Sequence, residues 1–344
     1  MISLTESLMH SEAMAAPSGV RALFATSGGL IDALADALRA TSVQAVATVA
    51  RGSSDHAASH FAYLLLTRLG VLVTSIPPSA ITLHQAPIDG KHIAAISFSQ
   101  SGQSPDLVAA MAGLRLRGAL TAALVNDVAS PLALSVQHCI DLAVGPEKSI
   151  AATKSFIAQL AAGARMVAAW SRDDALLDAL CGLPETLDQA LASDWSAAIA
   201  PLVDTDRLLV IARGASLAIA AEMALKFKEV CGIQAEAFSA AEVKHGPMAL
   251  IGAGYPLLVL APRGPEQAEV LTFAADMRRQ GANVLVAAPR GYADAQLPIV
   301  LSQHEVLDGV SAAQSFYLMV EALARARGLD PDRPPRLNKV TLTR

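Results

Sequence analysis

The chain has 344 residues, 53% of them hydrophobic, 17% charged and 4% aromatic, with a formal net charge of −5. The apolar fraction excludes a disordered chain and suffices for a sizeable core, in roughly two domains at this length. The acidic balance, without a long basic run, excludes a nucleic-acid surface, which needs clustered Lys and Arg to displace counterions. Mean hydropathy is +0.42, yet no uninterrupted apolar run approaches the ~20 residues of a membrane span. Arg165 breaks the most apolar stretch, and "MISLTESLMHSEAM" has no basic segment ahead of an apolar core. The expectation is a soluble, cytoplasmic protein with neither nucleic-acid nor membrane partner. Three widely spaced cysteines, 139, 181 and 231, give no CxxC pair and no disulfide or zinc framework.

In chain order, residues 1–19 read as a helical arm. Next, "VQAVATVARGSSDHAASHFAYLLLTRLG" (43–70) reads as strand, turn and long helix. It can be laid on "TDRLLVIARGASLAIAAEMALKFKEVCG" (205–232) at an offset of 162. A second pair follows at nearly the same offset: "HIAAISFSQSGQSPDLVAAMAGLRLRGALTAALVN" (92–126) and "YPLLVLAPRGPEQAEVLTFAADMRRQGANVLVAAP" (255–289). The strands are short continuous apolar runs, the pattern of a parallel sheet covered on both faces. Repeated strand–helix–strand units predict an α/β fold: two doubly wound parallel-sheet domains in tandem, 20–194 and 195–327, with a tail at 328–344.

Residues 96–107, "ISFSQSGQSPDL", place Ser97, Ser99, Ser101 and Ser104 on one strand-to-helix turn. In open parallel sheets ligands bind at the carboxyl ends of strands. Ser104, Pro105 and Asp106 read as a helix start with a hydroxyl N-cap. Free N–H groups at that helix end, joined by Ser99, Gln100 and Ser101, suit an oxyanion. The first turn, "ARGSSDHAA", adds Ser53 and Ser54. The matching turns of the second half, "LAPRGPEQ" and "ARGASLAIAA", are poorer in hydroxyls, so the fold itself does not require them. Arg51 and Arg213 share one slot in both copies, which favours a structural role for them.

The second half carries Glu222, Lys226 and Glu229 on one helical face, where the first half has His60, Leu64 and Thr67. Then comes "AEAFSAAEVKHGPMALI" (235–251), a loop presenting His245, and near the end "RLNKVT" with Lys339.

"SQSG" after a strand, "VGPEKSIAATK" (144–154), "EMALKFKE", the run 235–251 and the "RLNKVT" tail resemble the sugar isomerase (SIS) family, and within it the isomerase half of glutamine–fructose-6-phosphate aminotransferases. The resemblance runs from about residue 20 to the end. It implies that Ser53, Ser54, Ser99, Gln100, Ser101 and Ser104 hold a sugar phosphate, with Ile150 and Asn338 adding backbone contacts. It implies Glu229 as the base that moves a proton between C1 and C2, His245 as the ring-opening group donated by a second subunit of a homodimer, and Lys339 as the Schiff-base amine. Glu222 and Lys226 would position these groups, the tail would close the site, and no metal or organic cofactor is implied. Residue types agree: a carboxylate and an imidazole serve proton transfer near neutrality, and an amine serves imine formation.

The chain departs from the family where the synthase opens with a glutaminase domain carrying an amino-terminal Cys, and where it commonly has Ser at Ala152 and Cys at Arg51. The expected reaction is therefore deamination with free ammonia: glucosamine 6-phosphate plus water to fructose 6-phosphate plus ammonia. The alternative is a fructosamine-6-phosphate deglycase or a galactosamine-6-phosphate deaminase, which the same scaffold would serve. A non-catalytic sugar-phosphate sensor would need the serine turn but not Glu229, His245 and Lys339.

Overall fold

The computed structural model describes residues 6–292 and 294–339, which fall into two compact units. One holds residues 18–148, 154–181 and 338–339; the other holds 6–17, 149–153 and 182–337.

The chain opens with α1 (Leu8–Met14) and α2 (Ala16–Ala40). The first sheet follows: β1 (Ala45–Val49), α3 (Ser53–Leu69), β2 (Leu72–Ser75), α4 (Pro78–Thr82), β3 (Ile93–Ser99), α5 (Pro105–Leu116), β4 (Leu120–Val125), α6 (Pro131–Ser135) and β5 (His138–Asp141). All pairings are parallel, in the order β2-β1-β3-β4-β5. The inner strands are mostly apolar and are buried on both faces, whereas the edge strand β2 is mostly exposed. This is the difference between a strand covered by helices and one that meets water. α7 (Lys154–Ser171), almost wholly buried, packs on α3, and α8 (Asp174–Cys181) packs on α7.

The second unit takes over with α9 (Leu183–Leu191) and α10 (Ile199–Leu202). Its sheet runs β6 (Arg207–Ala212), α11 (Ser216–Cys231), β7 (Gln234–Ser239), β8 (Pro256–Leu260), α12 (Gln267–Arg279), β9 (Asn283–Pro289) and β10 (Leu297–Ile299), ending in α13 (Asp308–Ala326). Strand order is β10-β9-β8-β6-β7, the first sheet's order read from the other edge. The protein thus contains two parallel, doubly wound α/β sheets of one topology. In each, the chain reverses direction across the sheet between the first and third strands, β1/β3 and β6/β8.

The crossover between units comes at Gly182 instead of at 194, because α9 buries its apolar face on α13. The amino-terminal arm also divides. α1 packs on α13 in the second unit: Gln314 Nε2 donates to the Ala13 carbonyl at 2.9 Å, and the Asp332 carboxylate accepts the N–H groups of Leu8 and Met9 at 2.7 and 2.8 Å. α2 belongs, from residue 18, to the first unit. Residues 1–5 of the arm and 340–344 of the tail lie outside the described residues. Among the described residues, no helix is long and apolar enough to cross a membrane.

Candidate active site

The reversal point of a doubly wound sheet opens a crevice at the strands' carboxyl ends. In the first unit, β1 and β3 pair as far as Val49 and Ser97, where the Ser97 hydroxyl donates to the Val49 carbonyl at 2.7 Å. Beyond that tie the chains part into the two turns singled out by sequence. Ser99 Oγ accepts the Gly102 N–H at 3.0 Å, and Ser101 Oγ accepts the Gln103 N–H at 3.3 Å. Each oxygen so engaged still has its own proton to donate. Ser104 is the N-cap residue of α5 but makes no side-chain cap; this corrects the expected hydroxyl cap and leaves the group for other use. Gln100 and Ser101 are half-buried, and the Gln100 carbonyl accepts the Asn126 N–H at 3.2 Å. Gly102 has φ +63°, and a Cβ there would meet Ser130 Oγ at 2.1 Å, so the turn is pressed against the loop before α6.

The second turn brings Ser53, half-buried at the first position of α3, to the same crevice. Ser54 is drawn toward the core: it is buried, and its Oγ accepts Gln159 Nε2 from α7 at 3.0 Å. Arg51 reaches across with Nε and Nη2 to Asp106 Oδ2, at 3.2 and 2.8 Å. Asp106 is buried in the first turn of α5, so the guanidinium neutralises a carboxylate that would otherwise repel an anion. Burial raises the Asp55 carboxyl above its usual range, against the opposing pull of His56, a Ser75 hydrogen bond and Arg51. Arg213 forms a more exposed ion pair with Glu269 in the second unit, so the arginine slot is ion-paired in both copies.

The loop after β5 carries a residue that sequence reasoning passed over. Glu147 is buried; its Oε1 accepts the Ser155 N–H at 3.1 Å and its Oε2 the Ser155 hydroxyl at 2.5 Å. Lys339 Nζ lies 3.5 Å from the same Oε2. The run "VGPEKSIAATK" carries the resemblance without singling out Glu147, and burial was the missing signal. Ile150 is half-buried just beyond, next to Ser149, whose N–H meets the buried Glu12 carboxylate of α1 at 3.2 Å. Asn338 is exposed.

In the second unit, the three charged residues of α11 form one network. Lys226 is fully buried, 3.3 Å from Glu222 Oε1 and in direct contact with Glu229 Oε2. Burial pulls the lysine pKa down, but the two carboxylates outweigh it and hold the group above its ordinary value, hence cationic. Tyr317 of α13 donates its hydroxyl to Glu222 Oε1 at 3.0 Å, a partner 95 residues away that no local pattern announces. Glu229 is the least buried of the three, its side chain 21% exposed.

His245 is exposed in the short 3₁₀ turn Glu242–His245. It does not meet Glu229 within the unit. α11 descends from the carboxyl end of β6, so Glu229 in its last turn lies level with the start of β7. His245 follows the far end of that strand, and six residues of strand span about 20 Å. Among the described residues, no group of three or more His, Cys, Asp or Glu is gathered as a metal site.

A family model described as SIS domain matches residues 41–169 and 201–288, taking in strands of both sheets. A glutamine–fructose-6-phosphate aminotransferase (isomerizing) of Aeropyrum pernix is 35% identical over 347 residues, covering 93% of this chain and 55% of its own length. The chain spans about half the length of the curated relatives it matches. A crystal structure from Silicibacter pomeroyi, provisionally named a phosphosugar isomerase, is 40% identical with a TM-score of 0.90, over 95% of this chain and all of that one. A glucosamine-6-phosphate deaminase of Thermotoga maritima shares the fold at 20% identity, with a TM-score of 0.78 over 98% of this chain and 100% of its own. With duplicated sheets, a hydroxyl-lined reversal point and matches of this extent, the chain belongs to the SIS family.

Proposed function

We propose that the chain is a phosphosugar isomerase that deaminates glucosamine 6-phosphate to fructose 6-phosphate and ammonia. The observation that carries this reading is the Glu222–Lys226–Glu229 network. A solvated ion-paired face would lie in water, whereas Glu222 and Lys226 are 1% and 0% exposed. Buried charges are poor stabilisers compared with apolar side chains, so their presence points to chemistry. A binding-only sensor has no use for them.

In this reading Ser53, Ser99, Gln100, Ser101 and Ser104, with the amino end of α5, hold the phosphate, and Ser54 steadies the turn through Gln159. Backbone groups of Ile150 and Asn338 contact the sugar. His245 opens the ring. Glu229 takes the proton from C2 and returns it at C1, and the nitrogen gives up a proton to the C1 oxygen, so that the C2 amine becomes an imine beside a C1 hydroxyl. Exchange of that imine onto Lys339 releases ammonia, and water then frees fructose 6-phosphate. Lys226, held by Glu222, orients Glu229. The deciding experiment is an ammonia assay over a panel of glucosamine, galactosamine and fructosamine 6-phosphates. Release from the first is expected; preference for another member would move the substrate, and no release from any would favour the sensor.

His245 is assigned to the site of a second copy, supported by its exposure and its distance from Glu229. Mixing and refolding His245→Ala with Lys339→Ala should restore about a quarter of wild-type activity, since half the dimers are mixed and one of their two sites is intact. No recovery would place His245 in its own subunit's site.

A further inference from the structure

We infer that Glu147 is the positioning residue for Lys339: its buried carboxylate is the dock that holds the tail's amine in place. Glu147 is oriented before Lys339 arrives. Ser155 supplies an N–H and a hydroxyl to its two oxygens, placing the carboxylate at the amino end of α7, where a negative charge is favoured. The loop that carries it is tied on both sides. Asn126 Oδ1 accepts the Val144 N–H at 3.1 Å, its Nδ2 donates to the Gly145 carbonyl at 2.8 Å, and Lys154 Nζ donates to the Pro146 carbonyl at 2.8 Å.

Ser155 orients the carboxylate but brings no charge to balance it, and a buried anion calls for a cation. Lys339 brings one. Its side chain is 24% exposed and that of Glu147 is 0% exposed. Thirteen residues without a helix or strand, 327–339, precede and include this lysine. The separation of 3.5 Å is longer than a tight charge-assisted hydrogen bond, which suits an amine that is held yet can be handed to a carbonyl.

The consequence for imine formation rests on the proposed function; the docking does not, and the test separates them. Lysines of the intact protein are labelled with an amine-reactive reagent and read by mass spectrometry. In the wild type, Lys339 should label more slowly than exposed Lys91, and the gap should narrow in about 1 M salt. In Glu147→Gln, Lys339 labelling should rise about five- to tenfold, while buried Lys226 and Lys154 stay protected as proof of folding. Turnover should fall in kcat with KM within about twofold, and Glu147→Asp should recover part of it. Equal labelling of Lys339 and Lys91 in the wild type at low salt overturns the dock whatever the variant does. So does unchanged Lys339 labelling in a folded Glu147→Gln. A protected Lys339 in a chain that turns over no amino-sugar phosphate leaves the dock standing and removes the proposed reaction.

Discussion

Gly52 and Gly214 hold the same place in the two halves, each with positive φ, at +56° and +66°. A Cβ on Gly52 would meet nothing within 4 Å, whereas one on Gly214 would meet Glu266 Oε1 at 2.4 Å. Glu266 stands 162 residues after Ser104, the repeat's own offset, and is the N-cap residue of α12. The first reversal point is open and lined by hydroxyls; the second is filled by a carboxylate of its own chain, set where helix ends favour an anion. The first helices of the two halves differ in the opposite sense. α3 puts buried, neutral groups at His60 and Leu64, where α11 puts Glu222 and Lys226. One scaffold therefore tolerates either arrangement at either place. An arginine–carboxylate pair, Arg51–Asp106 and Arg213–Glu269, is common to both halves.

The comparison breaks most severely at Lys226. Lys226→Met gives the second half an apolar residue where the first half has Leu64, but it strands Glu222 in the core. The expected loss is about 3–5 kcal/mol in urea unfolding, together with turnover. Adding Glu222→Gln removes the stranded charge and should recover much of the stability but none of the activity. A single variant as stable as the wild type would mean that the network is not a paired buried charge.

The repeat made much of this legible. Two copies of strand, Ala-Arg-Gly and helix forecast two sheets, and continuous apolar strands forecast their parallel burial. Turns richer in hydroxyls in one copy than in the other drew attention to Ser53, Ser99, Ser101 and Ser104. What sequence left open lies in contacts between distant residues. Glu147 and Lys339 are 192 positions apart, Ser54 and Gln159 are 105 apart, and Tyr317 reaches Glu222 across 95. The crossover at Gly182 was equally hidden: α8 and α9 are both short and amphipathic, and their apolar faces do not say which core they cover. Ser104 followed the N-cap pattern in every respect but the hydrogen bond, because the pattern fixes the backbone and not the rotamer.

The smaller break lies at the matching position of the first half. His60 is fully buried, its Nδ1 meets no hydrogen-bond partner among the described residues, and burial pushes its pKa down to about 4. At neutral pH the ring is uncharged in the folded chain and mostly uncharged in the unfolded one. As pH falls below the ordinary value of 6.5, the unfolded chain takes up a proton that the folded one refuses until about pH 4. Stability is therefore lost on acidification across that window, by up to the order of 3 kcal/mol for a drop from 6.5 to about 4. His60→Leu should fold at neutral pH at least as stably as the wild type, since it trades an unpartnered polar atom for an apolar side chain of similar size. Urea midpoints measured from pH 7 to pH 4.5 should fall less steeply for the variant. Parallel slopes would show that acid reaches the ring without unfolding the helix. His60 would then be closer in character to its counterpart Glu222, a site where the core accepts charge, than to a neutral packing group.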